Sequence, residues 1–211
     1  MKEPRDAQVT RDNLIRAGLA LIASQGYHAT KVSEIVRRCG VTQAAFYWHF
    51  PSKLELVLEL MASGRATLLD TLRRGYRDRI ESVDDMVENS CRWFTDLLRY
   101  CHDNREYMAI LLARGYGADP QIDRAIADTR TAMYEVLRGN IARAVDLGRL
   151  QPQATDLRAA FVHRLLEGSI EWWLFGHDYD LQHQPTVSTE VLARQLAEFE
   201  FYGLNGSGNA G

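Results

Sequence analysis

The stretch from residue 30 to residue 53, TKVSEIVRRCGVTQAAFYWHFPSK, limits the fold more than any other part of the chain. Its first half places apolar side chains at the spacing of a short amphipathic helix: Val32, Ile35, Val36 and Cys39. Gly40 then predicts a tight turn, and Thr42 is typical of a residue that caps a new helix. Pro51 ends that helix because proline lacks an amide donor. The sequence therefore predicts two short helices joined by a turn.

Two short helices joined in this way indicate a helix-turn-helix. In that motif the first helix braces the second across the DNA major groove, and the start of the second helix faces the base edges. Phe46 and Phe50 supply the inward face of the second helix. Its exposed start carries Thr42, Gln43 and Ala44. Because Gln pairs with adenine through two hydrogen bonds, and Ala or a Thr methyl contacts the thymine methyl, we predict that this helix reads DNA.

The rest of the chain is also helical in pattern, and no alternation typical of strands competes with it. Candidate caps are Thr10, Thr30, Ser52 and, for the last helix, either Ser188 or Thr186. Further helices are predicted at about residues 10–25, 54–74, 82–102, 105–114, 120–147, 155–175 and 188–202. We therefore predict an all-α fold. Residues 1–55 form a three-helix head, residues 56–203 form a larger helical domain, and residues 204–211 form a flexible tail.

Charge is distributed unevenly along the chain. Residues 1–55 carry eight Lys or Arg and five Asp or Glu, a net charge of +3, whereas residues 56–211 carry seventeen and twenty-three, a net charge of −6. A basic head on an acidic body suits a head that meets phosphates. The three cysteines form no CxxC pair, and neither a signal sequence nor an apolar run of about 18 residues is visible. We predict a reducing, cytoplasmic setting with no membrane contact.

The head resembles the DNA-binding domain of the TetR family of bacterial repressors. The resemblance covers about residues 10–60 and extends over three helices. The matching positions are Gly26-Tyr27, Ala29-Thr30, Val32, Ile35, Gly40-Val41, Tyr47, His49-Phe50, Lys53 and Leu56. Val36 stands where the family usually has alanine, and Trp48 is bulky at a position that is commonly polar.

The resemblance implies a role for each matching residue of the head. Phosphate contacts are implied for Thr30, Lys31, Tyr47, His49 and Lys53, and helix N-termini and lysines do bind anions. Base contacts are implied for Thr42, Gln43 and Ala44. We expect Trp48 to add a contact to the sugar-phosphate backbone. For His49, packing against the start of a helix remains an equal alternative.

The same resemblance implies that the larger domain dimerises and holds a pocket for a small-molecule effector. Aromatic and Met side chains, with a few polar groups, line such pockets. Our candidates are Trp93, Tyr107, Met133 and Tyr134, with His163 and Glu167 as polar anchors. An aromatic pocket with few charges favours a flat or lipophilic effector, such as a fatty acyl compound, an aromatic metabolite or a hydrophobic drug. The alternative is that these residues are ordinary core.

The last two helices, at about residues 155–176 and 187–202, are the predicted dimer interface, because the family pairs two helices from each subunit. One face of the first mixes small and large side chains: Leu165, Gly168, Ser169 and Trp172. A stripe on the second consists of Leu192, Leu196, Phe199 and Tyr202. Packing within one chain is the alternative for both faces.

The predicted function is a ligand-responsive transcriptional regulator. In this hypothesis a homodimeric repressor binds a near-palindromic, double-stranded operator and leaves it when the effector binds. The ligand could instead act as a corepressor, or the chain could be a ligand-binding module that no longer reads DNA. We see none of the motifs of a catalytic site, so we predict no enzyme activity and no cofactor. His177, Asp178, Asp180 and His183 are interpreted as a solvated loop and not as metal ligands.

Overall fold

A computed structural model of the chain describes residues 4–75, 83–148, 150–152 and 154–203. Within those ranges the only regular secondary structure is helical, which confirms the predicted all-α fold. The α-helices are α1 (Pro4–Gln25), α2 (Val32–Cys39), α3 (Gln43–His49), α4 (Lys53–Leu72), α5 (Val83–Asp103), α6 (Arg105–Met108), α7 (Pro120–Asp146), α8 (Thr155–Phe175) and α9 (Thr189–Tyr202). The predicted tail, residues 204–211, lies outside the described residues.

Three of the predicted helix caps are confirmed by their hydrogen bonds. The Thr42 hydroxyl accepts from the amide of Ala45 at 3.2 Å and begins α3. Ser52 accepts from the amide of Glu55 at 3.2 Å, at the start of α4. Ser188 accepts from the amide of Val191 at 3.3 Å and begins α9. Each bond satisfies an amide that the first turn of a helix otherwise leaves without a partner.

Two other predicted helix starts are wrong. Helix α1 begins at Pro4 and not after Thr10, because proline fits the first turn of a helix and no breaker follows it. Helix α2 has Lys31 as its N-cap, and not Thr30. The Thr30 hydroxyl instead donates to the carbonyl of Gly26 at 2.8 Å, so the loop before the helix uses the side chain expected to cap it.

The segment predicted as a single α-helix at 105–114 changes its winding after one turn. Helix α6 ends at Met108, and Ala109–Arg114 continue as a π-helix, which we call the π turn. The amide of Gly115 donates to the carbonyl of Ile110 at 2.9 Å and closes it. A Cβ at Gly115 would overlap that same carbonyl oxygen, so the π turn requires glycine here.

The chain divides into two compact units. The first comprises Met1–Arg65 and Arg105–Thr129, and the second comprises Ala66–Asn104 and Arg130–Gly211. Helices α4 and α7 therefore each contribute residues to both units. The functional boundary predicted at residue 55 stays a prediction, and the unit that contains the head extends beyond it.

In the first unit, α1 packs against α2, α6 and the π turn, and α2 packs against α3. Its buried side chains include Leu14, Ile35, Phe46, Phe50, Leu56, Met61, Met108 and Leu111. In the second unit, α5 packs along α9 and also contacts α8. Its buried side chains include Leu68, Leu72, Phe94, Leu98, Leu137, Leu166, Ile170 and Leu174. Each unit thus has its own apolar core.

The ring of Tyr107 rests directly on the backbone of α4 at Gly64. A Cβ at Gly64 would lie 2.7 Å from Tyr107 Cζ, closer than real Cβ atoms approach, and the ring is itself buried. We expect Gly64→Ala to lower the free energy of unfolding by about 1–3 kcal/mol, measured by urea denaturation. The matched control is Gly139→Ala in α7, where the new Cβ meets no atom within 4 Å, and which should raise stability by up to about 1 kcal/mol. Equal effects at the two glycines would contradict this packing.

Candidate functional site

Helix α3 is divided between a buried face and an exposed face. Phe46 and Phe50 are fully buried, and their rings pack 5.7 Å apart. Tyr47 and Trp48 are exposed by 54% and 73%, although large aromatic side chains are usually covered. Such exposure on a short helix indicates a surface that another molecule covers.

The start of α3 presents the three residues predicted to read bases. Thr42, Gln43 and Ala44 are all exposed. Because Thr42 gives its hydroxyl oxygen to the amide of Ala45, it has a structural role as well, and its methyl group is the part left for a base. The structure brings these residues together with Tyr47 and Trp48 on one side of α3.

The turn before α3 fixes the angle between the two helices. Gly40 adopts the left-handed conformation, with φ 66°, which glycine adopts at little cost. The amide of Gly40 donates to the carbonyl of Arg37 at 3.2 Å, and the amide of Val41 donates to the carbonyl of Val36 at 3.0 Å. These bonds satisfy the last carbonyls of α2 and hold the helix-turn-helix geometry.

His49 lies between exposure and burial. Its ring contacts the Trp48 ring edge-on, with centroids 4.5 Å apart, and lies 6.4 Å from the ring of Phe50. Both interpretations of this residue, as a phosphate contact or as a packing group, are compatible with that position. The contact of the two rings also restricts the orientation of Trp48.

Lys31 and Thr30, both predicted to contact phosphate, differ in exposure. Lys31 is exposed at the N-terminus of α2. Its amide donates to the carboxylate of Glu34 at 3.0 Å, and hydrogen bonding by that amide is the main cause that lowers the pKa of Glu34. Thr30 is 1% exposed, and its hydroxyl bonds within the loop. Lys31 therefore keeps a position from which it can reach phosphate, whereas the Thr30 side chain does not.

Lys53, another predicted phosphate contact, is partly buried. Its ammonium donates to the carbonyls of Tyr27 and Thr30 at 2.5 and 2.6 Å. It also lies 4.1 Å from the centroid of the Tyr27 ring. Burial lowers the pKa of the Lys53 ammonium. Sequence patterns could not reveal these contacts, because they join residues 23 and 26 positions apart.

In the second unit, three of the predicted effector residues form one cluster. Glu167 is only 5% exposed, and its carboxylate lies 3.1 Å from Arg130 Nε, 2.9 Å from Arg164 and 3.4 Å from His163 Nε2. The rings of Tyr134 and His163 have centroids 6.3 Å apart. Burial is the largest influence on the pKa of Glu167 and raises it, but His163, Arg130 and Arg164 together outweigh burial, and the net shift is downward.

The other three predicted effector residues do not join that cluster in the contacts the structure shows. The indole of Trp93 donates to the carbonyl of Thr71 at 3.2 Å, within a buried environment. Met133 is buried in α7. Tyr107 belongs to the first unit, where it packs against Gly64. These three side chains are buried, as expected if they belong to the apolar core.

The second unit also contains an open pocket of about 310 Å³. Its lining consists of Ile141, Leu150, Arg158, Phe161, Val162, Glu200 and Phe201. It includes none of the six predicted effector residues. The lining comes from α7, the loop that follows it, the first half of α8 and the end of α9, and no motif in the sequence connects these positions. The volume is at the lower end of the range for small-molecule sites.

Helices α8 and α9 each expose large apolar side chains. On α8 these are Leu157, Phe161 and Trp172, and on α9 they are Val191 and Phe199. Leu165 and Gly168, from the predicted interface, share the partly open face of α8. We call this set of seven residues the α8–α9 face.

The predicted α9 interface stripe is partly wrong. Leu192 and Leu196 are buried within their own chain, where α9 packs along α5. The exposed side of α9 is instead the one that carries Val191 and Phe199. The stripe that contains Leu192 was correctly predicted to be apolar. Whether such a stripe packs against the same chain or against a partner depends on which neighbour covers the helix, and the sequence of one helix does not contain that information.

Within the described residues, no helix is both long and apolar enough to cross a membrane. No three His, Cys, Asp or Glu side chains in the described part of the chain converge in a way that could hold a metal ion. The loop residues His177, Asp178 and Asp180 are exposed.

Comparisons with known proteins agree on one family. The model described as bacterial regulatory proteins, tetR family, matches residues 14–60. The HTH-type transcriptional regulator AcrR of Shigella flexneri is 39% identical over 208 residues, covering 90% of this chain and 91% of that protein. The HTH-type transcriptional activator FasR of Mycolicibacterium smegmatis is 27% identical over 174 residues, covering 81% and 74%. These relatives are transcriptional regulators and not enzymes.

Solved structures show the same fold. The regulator FadR from Bacillus subtilis, determined in complex with stearoyl-CoA, matches with a TM-score of 0.72, covering 92% of this chain and 98% of that chain. Its sequence identity is 13%, so the match establishes similarity of fold alone.

Proposed function

We propose that this chain, which belongs to the TetR family of bacterial regulatory proteins and is a DNA-binding transcriptional regulator, acts as a homodimeric repressor in the cytoplasm. In this proposal it leaves a near-palindromic operator when a hydrophobic or aromatic small molecule binds. The observation that carries the proposal is the exposed face of α3. Gln43 and Ala44 lie there beside Tyr47 and Trp48, on a helix anchored by a buried Phe46.

The proposed contacts follow from which side chains of the head are accessible. Base contacts are assigned to Thr42, Gln43 and Ala44. Phosphate and sugar contacts are assigned to Lys31, Tyr47, Trp48 and His49. We leave Thr30 out of this set because its side chain is buried. A phosphate contact by Lys53 stays in the proposal, because an ammonium has three N–H donors and two of them bond the carbonyls of Tyr27 and Thr30.

We expect Gln43→Ala to relax base preference without abolishing binding. Because a bidentate Gln–adenine pair discriminates by about 1–3 kcal/mol, the preference at one position per half-site should fall by about fivefold to 150-fold. The measurement is selection of duplexes from a random library by wild type and variant, followed by titration of the selected duplex. An unchanged preference at every position would contradict the assignment of Gln43 as a base contact.

The salt dependence of DNA affinity tests whether the head binds DNA through contacts to phosphate. The slope of log affinity against log salt should be about −0.9 for each phosphate contacted by a cation. The matched variant is Lys31→Met, which should reduce the slope by about 0.9 per head while shifting affinity alike for all sequences. Wild-type binding that is insensitive to salt would contradict the repressor proposal.

In this proposal two chains dimerise through the α8–α9 face, and the dimer therefore carries two DNA-binding heads. A two-fold dimer can place two copies of α3 in successive major grooves, about one helical turn apart. The support for this face is the exposure of Phe161 by 65%, together with Leu157 and Trp172 on the same helix. A monomer would leave this apolar surface in water.

The proposed effector is lipophilic or aromatic. Of the six residues predicted for its site, Tyr134, His163 and Glu167 remain proposals, since they lie together in the second unit. The B. subtilis FadR complex with stearoyl-CoA supports a lipophilic ligand by analogy of fold. Native mass spectrometry of freshly purified protein, followed by DNA release assays with long-chain acyl-CoA and with flat aromatic compounds, tests the class.

The sign of regulation is tested separately, because FasR, a relative at 27% identity, is an activator. Transcription of a reporter behind the selected duplex should rise when the gene for this chain is deleted. A fall would indicate activation, and release from DNA only in the absence of the small molecule would indicate a corepressor.

A further inference from the structure

The open pocket of the second unit combines apolar walls with a single cation. Its volume is about 310 Å³, and the residues around it come from α7, α8, α9 and the turn after α7. Most of the described lining side chains are apolar: Ile141, Leu150, Phe161, Val162 and Phe201. Arg158 and Glu200 are the charged residues of the described lining. A pocket of this composition suits a small molecule with an apolar body and one polar group.

Two of the walls are fixed by packing inside the chain. Leu150 and Phe201 both pack against the buried side chain of Met86 in α5. The amide of Leu150 also donates to the carbonyl of Ala144 at 3.3 Å, which holds the turn after α7 in place. These walls are therefore formed before any ligand arrives, as is usual for small-molecule sites.

Arg158 is the polar group that can select a ligand. It is half-buried in the first turn of α8, and its Nη1 donates to the carbonyl of Gln151 at 2.8 Å. A guanidinium has five N–H donors in a planar fork, so this one bond leaves others for a carboxylate. Among the described residues no carboxylate forms an ion pair with Arg158, although Glu200 lines the same pocket.

The charges and the volume together define the class of ligand. Because the guanidinium reaches back to Gln151, a carboxylate bound to Arg158 would also lie near the positive N-terminal end of α8, which favours anions. Glu200 places a negative charge on the same lining and disfavours a second anionic group. At about 30 Å³ for each water-sized group, the pocket holds about ten non-hydrogen atoms.

We propose that this pocket is a small-molecule site for a compact monocarboxylate with an apolar body, bound through its carboxylate by Arg158. The apolar body packs against Phe161, Val162 and Phe201. This site is distinct from the one proposed for the effector, because no residue of that proposal lines the pocket. Phe161 also belongs to the α8–α9 face, so the pocket lies at the edge of that face.

The test uses the full-length protein and two matched probes, 3-phenylpropanoate and its neutral amide, 3-phenylpropanamide. The two probes have almost the same size and differ in charge. The acid should bind with a Kd below about 1 mM in isothermal titration calorimetry, which about ten well-placed atoms can supply. The amide should bind at least about tenfold more weakly, because hydrogen bonds between charged partners are stronger than neutral ones.

Arg158→Met removes the cation and keeps an aliphatic side chain in its place. The acid and the amide should then bind alike, and the amide should keep its wild-type affinity, which separates a lost contact from a collapsed pocket. The matched control is Arg194→Met, since Arg194 pairs with Glu88 and does not line the pocket. In that variant the acid should keep its advantage of about tenfold or more over the amide.

Methyl NMR spectra locate the probe on the protein. Adding the acid should shift the methyl signals of Ile141 and Val162, which line the pocket. The signals of Leu166, which lies in α8 between His163 and Glu167 of the proposed effector site, should stay in place. Val162→Phe adds a ring to the lining and should abolish the binding of both probes. If Arg158→Met does not fold, the wild-type comparison of the two probes and these shifts still decide the question.

Four results would overturn the inference. The acid and the amide could bind the wild-type protein equally well, or the preference for the acid could survive Arg158→Met. Shifts at Leu166 without shifts at Ile141 and Val162 would assign the probe to the effector site instead. Failure of both probes to bind at about 1 mM is the result expected if a second copy of this chain fills the pocket. These measurements use no DNA, so the repressor proposal stands or fails independently of them.

Discussion

Phe161→Asp is expected to dissociate the protein into monomers and to lower its affinity for the selected duplex by at least about a hundredfold. The phenyl group is the most exposed side chain of the α8–α9 face, at 65%. A carboxylate at this place would have to be buried without a partner if the dimer formed, which costs several kcal/mol. Two linked heads gain about 10²- to 10⁴-fold in avidity over one, and a monomer loses that gain.

Sedimentation equilibrium gives the oligomeric state, and titration of a half-site against a full site gives the avidity. The matched control is Leu147→Asp, which also places a charge on an exposed apolar residue, but in the turn directly after α7. It should remain dimeric with wild-type affinity. A dimeric Phe161→Asp protein, or a Leu147→Asp protein that dissociates to the same extent, would show that the α8–α9 face is not the interface.

Glu167→Ala is expected to lower the free energy of unfolding by about 3 kcal/mol. The carboxylate is buried beside Arg130, Arg164 and His163, so its removal leaves the two guanidinium groups without their anion. Breaking a buried ion pair from one side costs about 3–5 kcal/mol. We expect the lower end, because the side chain of Arg164 is 73% exposed and can turn to water.

Glu88→Ala is the matched control for Glu167→Ala, since Glu88 also pairs with an arginine, Arg194, at 2.8 Å, but its side chain is 51% exposed. Its loss should cost at most about 1 kcal/mol. Urea denaturation with both variants at neutral pH gives the comparison. Equal costs for the two variants would contradict a special role for the buried cluster.

The same cluster predicts a pH dependence with a defined sign. The pKa of Glu167 is lowered in the folded state. Its ionised carboxylate therefore stabilises the fold fully at a pH above the unfolded-state pKa, which is about 4.3 for Glu. This stabilisation is lost as the pH falls through the folded-state pKa. The difference in unfolding free energy between wild type and Glu167→Gln should therefore shrink as the pH is lowered from about 6 to about 3. A difference that grows over this range would mean that burial outweighs the contacts of Glu167 with His163, Arg130 and Arg164.

The sequence predicted those features that depend on neighbours close in the chain. The caps at Thr42, Ser52 and Ser188 were correct, because a hydroxyl and an amide three residues later need no help from elsewhere. Thr30 has the same residue type and failed, since the carbonyl of Gly26, brought close by the turn of the loop, competes for its hydroxyl. Local competition of this kind is visible only once the path of the loop is known.

Features that depend on distant neighbours were predicted less well. The exposed face of α3 follows from its own spacing, and Phe46 and Tyr47 lie on the expected sides. The face of α9 that carries Leu192 was assigned to a partner, yet α5 covers it. The hydrogen bonds of Lys53 to the carbonyls of Tyr27 and Thr30 were not predicted either, because a lysine in a matching motif position gives no indication of which way its side chain turns.

The π turn at Ala109–Arg114 has a consequence for how the chain length can vary. A π-helical turn holds one residue more than an α-helical turn between the same two end points. Deleting one residue there would therefore convert the turn to ordinary α-helix and leave the segments on either side in phase. In an ordinary α-helix, removing one residue rotates every following side chain to another face. Here the extra residue of the π turn compensates for the deletion. It is a point in the interior of the first unit where the sequence can shorten by one without a change in fold.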